Sequence, residues 1–298
     1  MRRSRVLITG ASGFTGRYVV RELEAAGYDV VGLSHGGDAS IPNAISVNVL
    51  DRVALCAAIA SVAPDAVLHL AAIAFVEHGD VDEIYRVNVV GTRNLLEALA
   101  ALSSPPGIVV LASSANIYGN ATVEPITEDT PPAPANDYAV SKLAMEYMAR
   151  LWMAKLPIVI TRPFNYTGLG QSEQFLLPKI VAHFSRGERT IELGNTDVSR
   201  DFADVRDVAR AYVGLITARP AGAILNICTG VGHSLNDALD MMAGIAGYQI
   251  SVRVNPAFVR ANEVRRLVGS NKALQNAVGF VPASSLGPTL AWMYANAQ

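Results

Sequence analysis

In the run NDYAVSKLAMEYMA, from Asn136 to Ala149, a tyrosine and a lysine stand four residues apart, Tyr138 and Lys142. On a helix that spacing puts both side chains on one face, a turn apart. A phenol beside an ammonium can do acid–base chemistry, because the positive charge lowers the phenol's pKa and brings its proton exchange toward neutral pH. The same pair also suits a solvated helix face. Lysine usage leans toward chemistry: the chain has only four lysines (Lys142, Lys155, Lys179, Lys272) and otherwise uses arginine. Two other stretches offer matching parts. TGASGFTG sets Gly10, Gly13 and Gly16 in the spacing G-x-x-G-x-x-G. Glycines so placed let a backbone turn tightly and approach a pyrophosphate at a helix N-terminus. LASSANIYG supplies hydroxyls that can polarise a substrate oxygen. Ser114 is the better candidate there, and Ser113 reads as structural.

These residues need a frame. RVLITG, DVVGLS, PDAVLHLAA, GIVVLASS and LPIVITRPFN read as short apolar strands. FTGRYVVRELEAAGY, DRVALCAAIASV, DEIYRVNVVGTRNLLEALAAL and the Tyr138 segment read as helices between them. Strands alternating with helices imply a doubly wound parallel sheet, an α/β fold of Rossmann type. The glycine triplet falls at the first strand-to-helix turn, where such a sheet binds dinucleotides. After Asn165 the rhythm changes. YTGLGQSEQ and LGNTDVSRDFADV read as polar loops, LNICTG as a late strand, and the end as a helix. The expected organisation is a dinucleotide-binding domain over 1–165 and a smaller, less regular lobe over 166–298, with later segments returning to the first.

Bulk properties narrow the partners. With 298 residues, 51% of them apolar, the chain can bury a large core and is not disordered. A net charge of −2 without charge blocks argues against nucleic acid or an anionic membrane surface. No apolar run approaches a membrane span, and the run before Gly10 is too short for a signal peptide, so a cytoplasmic protein is expected. Cys56 and Cys228 lie in apolar surroundings and read as free thiols. The five histidines lack metal-ligand spacing, so no metal is expected. His69 reads as a satisfied residue at a strand end.

Together, the glycine triplet, a serine at a strand end and Tyr-x-x-x-Lys resemble the extended short-chain dehydrogenase/reductase family, over nearly the whole chain. HLAA at 69–72, NVVGT at 88–92 and RPFN at 162–165 stand where that family has its structural and cofactor-lining motifs. SRDFADVRDVARAY at 199–212 resembles its nucleotide-sugar segment. The resemblance implies that Tyr138 is the acid/base, that Lys142 tunes it and binds the cofactor ribose, and that Ser114 bonds the reacting oxygen. It implies a nicotinamide cofactor at Gly10, Ser12, Gly13, Phe14, Thr15 and Gly16. Ser34, His35, Leu70, Ala71, Ala72, Asn88 and Pro163 would complete that site. It also implies a homodimer through two helices per subunit. The second strand ends in Ser34 and His35, with Asp38 late, so the carboxylate that would bind an NAD ribose and repel a 2′-phosphate is missing. Ser34 and Arg17 suit that phosphate, and NADP(H) is expected over NAD(H).

The family contains dehydratases, epimerases and reductases. Its dehydratases place Asp or Glu just after the strand-end hydroxyl; here those positions are Ala115 and Asn116. Its epimerases usually have the acid that strand two lacks. A net reductase fits better, with a nucleotide-sugar 4-epimerase as the alternative. A non-enzymatic NADP-binding redox sensor is a third reading, but such proteins commonly lose the Tyr–Lys pair. The C-terminal segments look most like reductases of nucleotide-activated 4-keto-6-deoxyhexoses. Reduction of C4 in GDP-4-keto-6-deoxymannose, giving GDP-D-rhamnose or GDP-6-deoxytalose, is therefore expected first, and the dTDP-linked counterpart next. A guanidinium fork matches a diphosphate, and Arg200 and Arg260 are the candidates. Asn165, Lys179 and Glu263 complete the expected substrate contacts. Plain ion pairs, Arg200 with Asp201 and Arg260 with Glu263, are the competing reading. Arg260-Ala261 departs from the Arg-Pro that the family often has there.

Overall fold

The structure, a computed structural model, describes residues 3–36, 41, 43–74, 80–196, 198–258 and 264–297. Asp38, Arg260 and Glu263 lie outside the described residues.

The first half runs β1 (Arg5–Thr9), α1 (Phe14–Ala25), β2 (Asp29–Ser34), β3 (Ile45–Ser46), α2 (Arg52–Val62) and β4 (Ala66–His69). One long helix follows, α3 (Val81–Tyr85) passing through a wide π-helical segment, Arg86–Gly91, into α4 (Thr92–Ala100). Then come β5 (Val109–Ala112), α5 (Asp137–Arg150) and β6 (Ile158–Pro163). The second half runs β7 (Asn165–Thr167), α6 (Leu176–Ser185), β8 (Thr190–Leu193), β9 (Ser199–Asp204), α7 (Val205–Ala218), β10 (Ile224–Ile227), β11 (Gly232–Ser234), α8 (Leu235–Ala246), β12 (Ser251–Val254), β13 (Arg266–Leu267), α9 (Lys272–Val278) and α10 (Leu286–Ala295).

Seven parallel strands form the main sheet in the order β10-β6-β5-β4-β1-β2-β3, the Rossmann-type α/β arrangement. Strand interiors are apolar on both sides because helices cover both sides. Val6, Ile8 and Val110 pack with Val19 and Leu23 of α1 and Val208 and Leu215 of α7. Leu7, Val67 and Val109 pack with Ile59 of α2, Leu95 of α4 and Met145 of α5. The strand order reverses between β1 and β4, and the crevice at their carboxyl ends is where such sheets bind ligands. Gly10 follows β1 there, His69 ends β4, and Ser114 lies two residues past β5. The late strand LNICTG contributes β10, which pairs with β6.

In the remaining lobe, β9 is flanked by β7, β11 and β13. The two segments read as loops, YTGLGQSEQ and LGNTDVSRDFADV, are thus partly strand: Tyr166 and Thr167 belong to β7, and Ser199–Asp204 forms β9. Their polar composition hid pairing that satisfies the polar groups locally. Asp201, fully buried, accepts from Thr229 N at 2.9 Å, Thr229 Oγ1 at 2.7 Å and Gly230 N at 2.8 Å. Helices α6, α8 and α10 enclose a separate core of Ile180, Phe184, Met242 and Leu290. Among the described residues no helix is long and apolar enough to cross a membrane, and no acidic, histidine or cysteine cluster fits a metal.

Candidate active site

The glycine turn is forced by close approach. Gly10 has φ +72°, and a Cβ there would lie 2.9 Å from Ala71 N. A Cβ at Gly16 would lie 2.3 Å from Gly10 O, so only glycine lets α1 start against β1. Gly13 is the N-cap, and no side chain caps the helix there. Its exposed amide end suits a diphosphate. Leu70 N donates to Thr9 O at 3.1 Å and Ala71 N to Thr9 Oγ1 at 3.2 Å, holding the LAA segment against the turn. At the end of β2, Ser34 is buried and its Oγ has no partner among the described residues, while His35 beyond it is exposed. A tight glycine cradle, a free helix end and a buried hydroxyl without a partner fit a bound dinucleotide.

The catalytic candidates converge on the end of β5. Asn136 caps α5 by accepting from Ala139 N at 2.9 Å. One buried face of α5 then presents Tyr138, Ser141, Lys142, Met145 and Glu146. The Ser114 hydroxyl, which accepts from Asn116 N at 3.1 Å, lies beside the Tyr138 phenol and favours its ionised form. Lys142 Nζ donates to Ala112 O at 2.8 Å. The phenol is not lowered as the spacing suggested. Burial pushes it up to about 12, and the neighbouring Ser114 hydroxyl offsets this only in part. Burial also lowers the Lys142 ammonium to about 8, against the upward pull of Glu146.

Behind these groups a buried chain of hydrogen bonds crosses four elements. Thr92 Oγ1 donates to Asn88 O at 2.7 Å, so it must accept from His69 Nε2, 2.8 Å away. His69 Nδ1 is then left to accept from Thr9 Oγ1 at 2.6 Å. The Asn88 side chain accepts from Ile73 N at 2.9 Å and donates to Ile73 O at 3.1 Å and Ser141 Oγ at 3.0 Å. Ser141 Oγ donates to Tyr138 O at 2.7 Å. Asn88 is thus spent on holding Ile73 and α5, and it lies in the wide-turn segment that sequence reading ran together with α4. His69 has both ring nitrogens bonded, and burial lowers its pKa to about 3, with Lys142 adding to the shift.

RPFN anchors the far side. Arg162 makes a two-point ion pair with Glu146, Nε to Oε1 at 3.0 Å and Nη2 to Oε2 at 2.7 Å. Its Nη1 donates to Tyr118 Oη and to Glu128 O, both at 2.9 Å. Pro163 ends β6, half-buried, and Asn165 is exposed on β7.

The substrate candidates scatter more. Lys179 Nζ donates to Glu192 O at 2.8 Å and sits 4.5 Å over the Phe258 ring, so it is held rather than loose. Arg200 Nη1 donates to Ser199 O at 3.0 Å and Arg265 O at 3.3 Å, while Asp201 is engaged by Thr229 and Gly230. Tyr166 had drawn no attention in the sequence. Its hydroxyl lies 2.8 Å from Thr15 Oγ1 and its ring stacks on Phe14. An aromatic directly after Asn165 was the only signal.

Known proteins are similar to this chain in sequence and fold. Aggregatibacter actinomycetemcomitans GDP-6-deoxy-D-talose 4-dehydrogenase is 34% identical over 92% of this chain and 91% of its own. Pseudomonas aeruginosa GDP-6-deoxy-D-mannose reductase is 33% identical over 96% of this chain and 94% of its own. Among solved structures, a Burkholderia cenocepacia J2315 protein put forward as an epimerase is 53% identical, with a TM-score of 0.92 over 98% of this chain and 97% of that one. RMD from Pseudomonas aeruginosa, complexed with NADPH, is 31% identical, with a TM-score of 0.85 over 98% of both chains. A model of the NAD dependent epimerase/dehydratase family matches residues 6–228, a span that contains the glycine turn, Ser114, Tyr138 and Lys142. With those groups gathered at the switch point of the sheet, the chain belongs to that family, the extended short-chain dehydrogenase/reductases.

Proposed function

We propose that this protein is an NADPH-preferring reductase of the C4 carbonyl of a nucleotide-linked 4-keto-6-deoxyhexose, GDP-linked first and dTDP-linked next. The observation that carries the reading is the Tyr138 phenol. It is kept protonated by burial with the Ser114 hydroxyl beside it, and Ala115 and Asn116 stand where a dehydratase has its acid. A phenol that rests protonated is ready to give a proton to an oxygen gaining electrons. The two GDP-deoxysugar relatives support the substrate class.

Residues 1–165 with β10 would hold the cofactor, through the glycine turn, Ser34 and the LAA segment. The lobe formed mainly by 166–298 would hold the sugar nucleotide, with Asn165 and Arg200 among its contacts. When bound, the cofactor supplies a hydride to C4. The chain's own residues do the rest. Ser114 and Tyr138 donate hydrogen bonds to the carbonyl oxygen, and Tyr138 passes its proton to the forming alkoxide. The Lys142 charge then stabilises the phenolate that remains. We further propose a homodimer through α5 and the helix before it, whose exposed Val140, Tyr147, Leu151 and Val90 are too apolar for a free surface.

The test is NADPH oxidation with GDP-4-keto-6-deoxymannose and its dTDP counterpart in parallel, the product sugar being identified by NMR. Turnover that Tyr138→Phe cuts by roughly 10²–10⁴ is the expected result. The Burkholderia cenocepacia neighbour favours a second reading, a nucleotide-sugar 4-epimerase. No turnover with either keto sugar, together with NAD retained through purification, would establish that reading instead.

A further inference from the structure

Tyr166 belongs to β7, yet it reaches the cofactor helix. Its ring lies parallel to Phe14, with centroids 6.1 Å and planes 10° apart, and its hydroxyl is 2.8 Å from Thr15 Oγ1. Phe14 and Thr15 are the first two residues of α1, directly after Gly13. One turn on, Tyr18 is fastened to the same stretch of chain: its hydroxyl donates to Leu169 O at 2.8 Å and its ring meets Phe14 edge-on. The first turn of the cofactor helix is thus clasped by residues 166–169, which follow Asn165 on the substrate side.

We propose that Tyr166 is a positioning residue of the cofactor site, its hydroxyl orienting Thr15 and its ring fixing Phe14 at the helix end where the dinucleotide's diphosphate docks. The proposal rests on the cofactor reading above. A threonine hydroxyl has one proton and rotates freely. When Tyr166 donates to Thr15 Oγ1, the threonine proton is released to point toward a bound anion. Fixing that rotor and the Phe14 ring before binding removes an entropic cost that the cofactor would otherwise meet. Burial also pushes the Tyr166 phenol up, which keeps it protonated and able to donate across the working pH range.

The test needs no sugar substrate. NADPH binding to the full chain is titrated by its fluorescence for the wild type, Tyr166→Phe, Thr15→Val and the double variant. Each single change should weaken binding roughly two- to tenfold, the range of one neutral hydrogen bond. The double variant should lose no more than the worse single, because both remove the same bond. Melting of the nucleotide-free Tyr166→Phe protein should fall by no more than the few degrees that one neutral hydrogen bond is worth, since the ring and its stack remain. In turnover, KM for NADPH should rise with kcat unchanged. Wild-type affinity in Tyr166→Phe, or losses that multiply in the double variant, would overturn the proposal while leaving the cofactor reading intact. A wild-type protein that binds neither NADPH nor NADH would overturn both.

Discussion

The Lys142 ammonium donates to the carbonyl oxygen of Ala112 at 2.8 Å, so the strand that leads to Ser114 also anchors the lysine. Burial has lowered that ammonium from its ordinary value to about 8. Below about pH 8 the lysine is cationic and can support a phenolate at Tyr138; above it the charge is lost. Reductive kcat/KM should therefore fall as pH rises through about 8. Lys142→Arg keeps its charge throughout, so whatever activity it retains should lose that alkaline limb. A pH–rate profile of both proteins checks this, and an unchanged limb in the variant would assign it to another group.

Glu146 lies one turn beyond Lys142 and is paired with Arg162, and both side chains are almost wholly buried, 1% and 3% exposed. Removing one partner strands the other charge in the interior. Glu146→Gln should cost on the order of 3–5 kcal/mol of stability, read as a lower urea midpoint with an unchanged slope. Because Glu146 also holds up the Lys142 pKa, the alkaline limb of activity should move to lower pH in the same variant.

The sheet was legible, and the candidate trio of Ser114, Tyr138 and Lys142 could be proposed, because their signals are local. Tyr138 and Lys142 share a helix turn, the glycines share one loop, and short apolar runs between helices specify parallel strands. Asn88 was harder. Its value depends on Ser141 and Ile73, 53 and 15 residues away in the chain, and the widened turn that aims it has no compositional mark. Tyr166 was invisible for the same reason, as its partner Thr15 is 151 residues away. In the C-terminal lobe the strands are short and polar, and Asp201, which sequence alone offers as an ion partner for Arg200, is enclosed by Thr229 and Gly230.

Val140 and Tyr147 of α5 and Leu151 at its C-cap share one stripe and stay 38%, 56% and 80% exposed. A free surface seldom keeps such a stripe. If two copies pair through it, Leu151→Glu combined with Tyr147→Glu should convert a dimer to a monomer, read by light scattering during size-exclusion chromatography. The far-UV circular dichroism should be retained. A wild-type chain that elutes as a monomer at micromolar concentration would remove the dimer.

His69 gives a second, separable pH effect. Burial holds its imidazole neutral, with the folded pKa near 3 against 6.5 in its ordinary state. The unfolded chain therefore takes up a proton first as pH falls. Stability from this residue is fully present above about pH 6.5 and is lost progressively below it, at up to about 1.4 kcal/mol per pH unit, until the folded value is reached. His69→Gln cannot titrate. Its urea midpoint should be lower at pH 7, where the bonds to Thr9 and Thr92 are disturbed, but should decline less than wild type between pH 7 and pH 5. Parallel declines would mean that carboxylates, not His69, set the acid limb.

Ser34 ends β2 with a buried hydroxyl that no described residue satisfies. A 2′-phosphate placed there would accept from it, and a carboxylate at the same position would repel that phosphate while accepting from a ribose hydroxyl. Ser34→Asp should thus raise KM for NADPH at least about tenfold, the scale of one lost charge-assisted hydrogen bond, and lower KM for NADH. Steady-state kinetics with both cofactors measure this. If the wild type already uses NADH as well as NADPH and the substitution changes neither, the phosphate is not read at Ser34, and the NADPH preference falls with it.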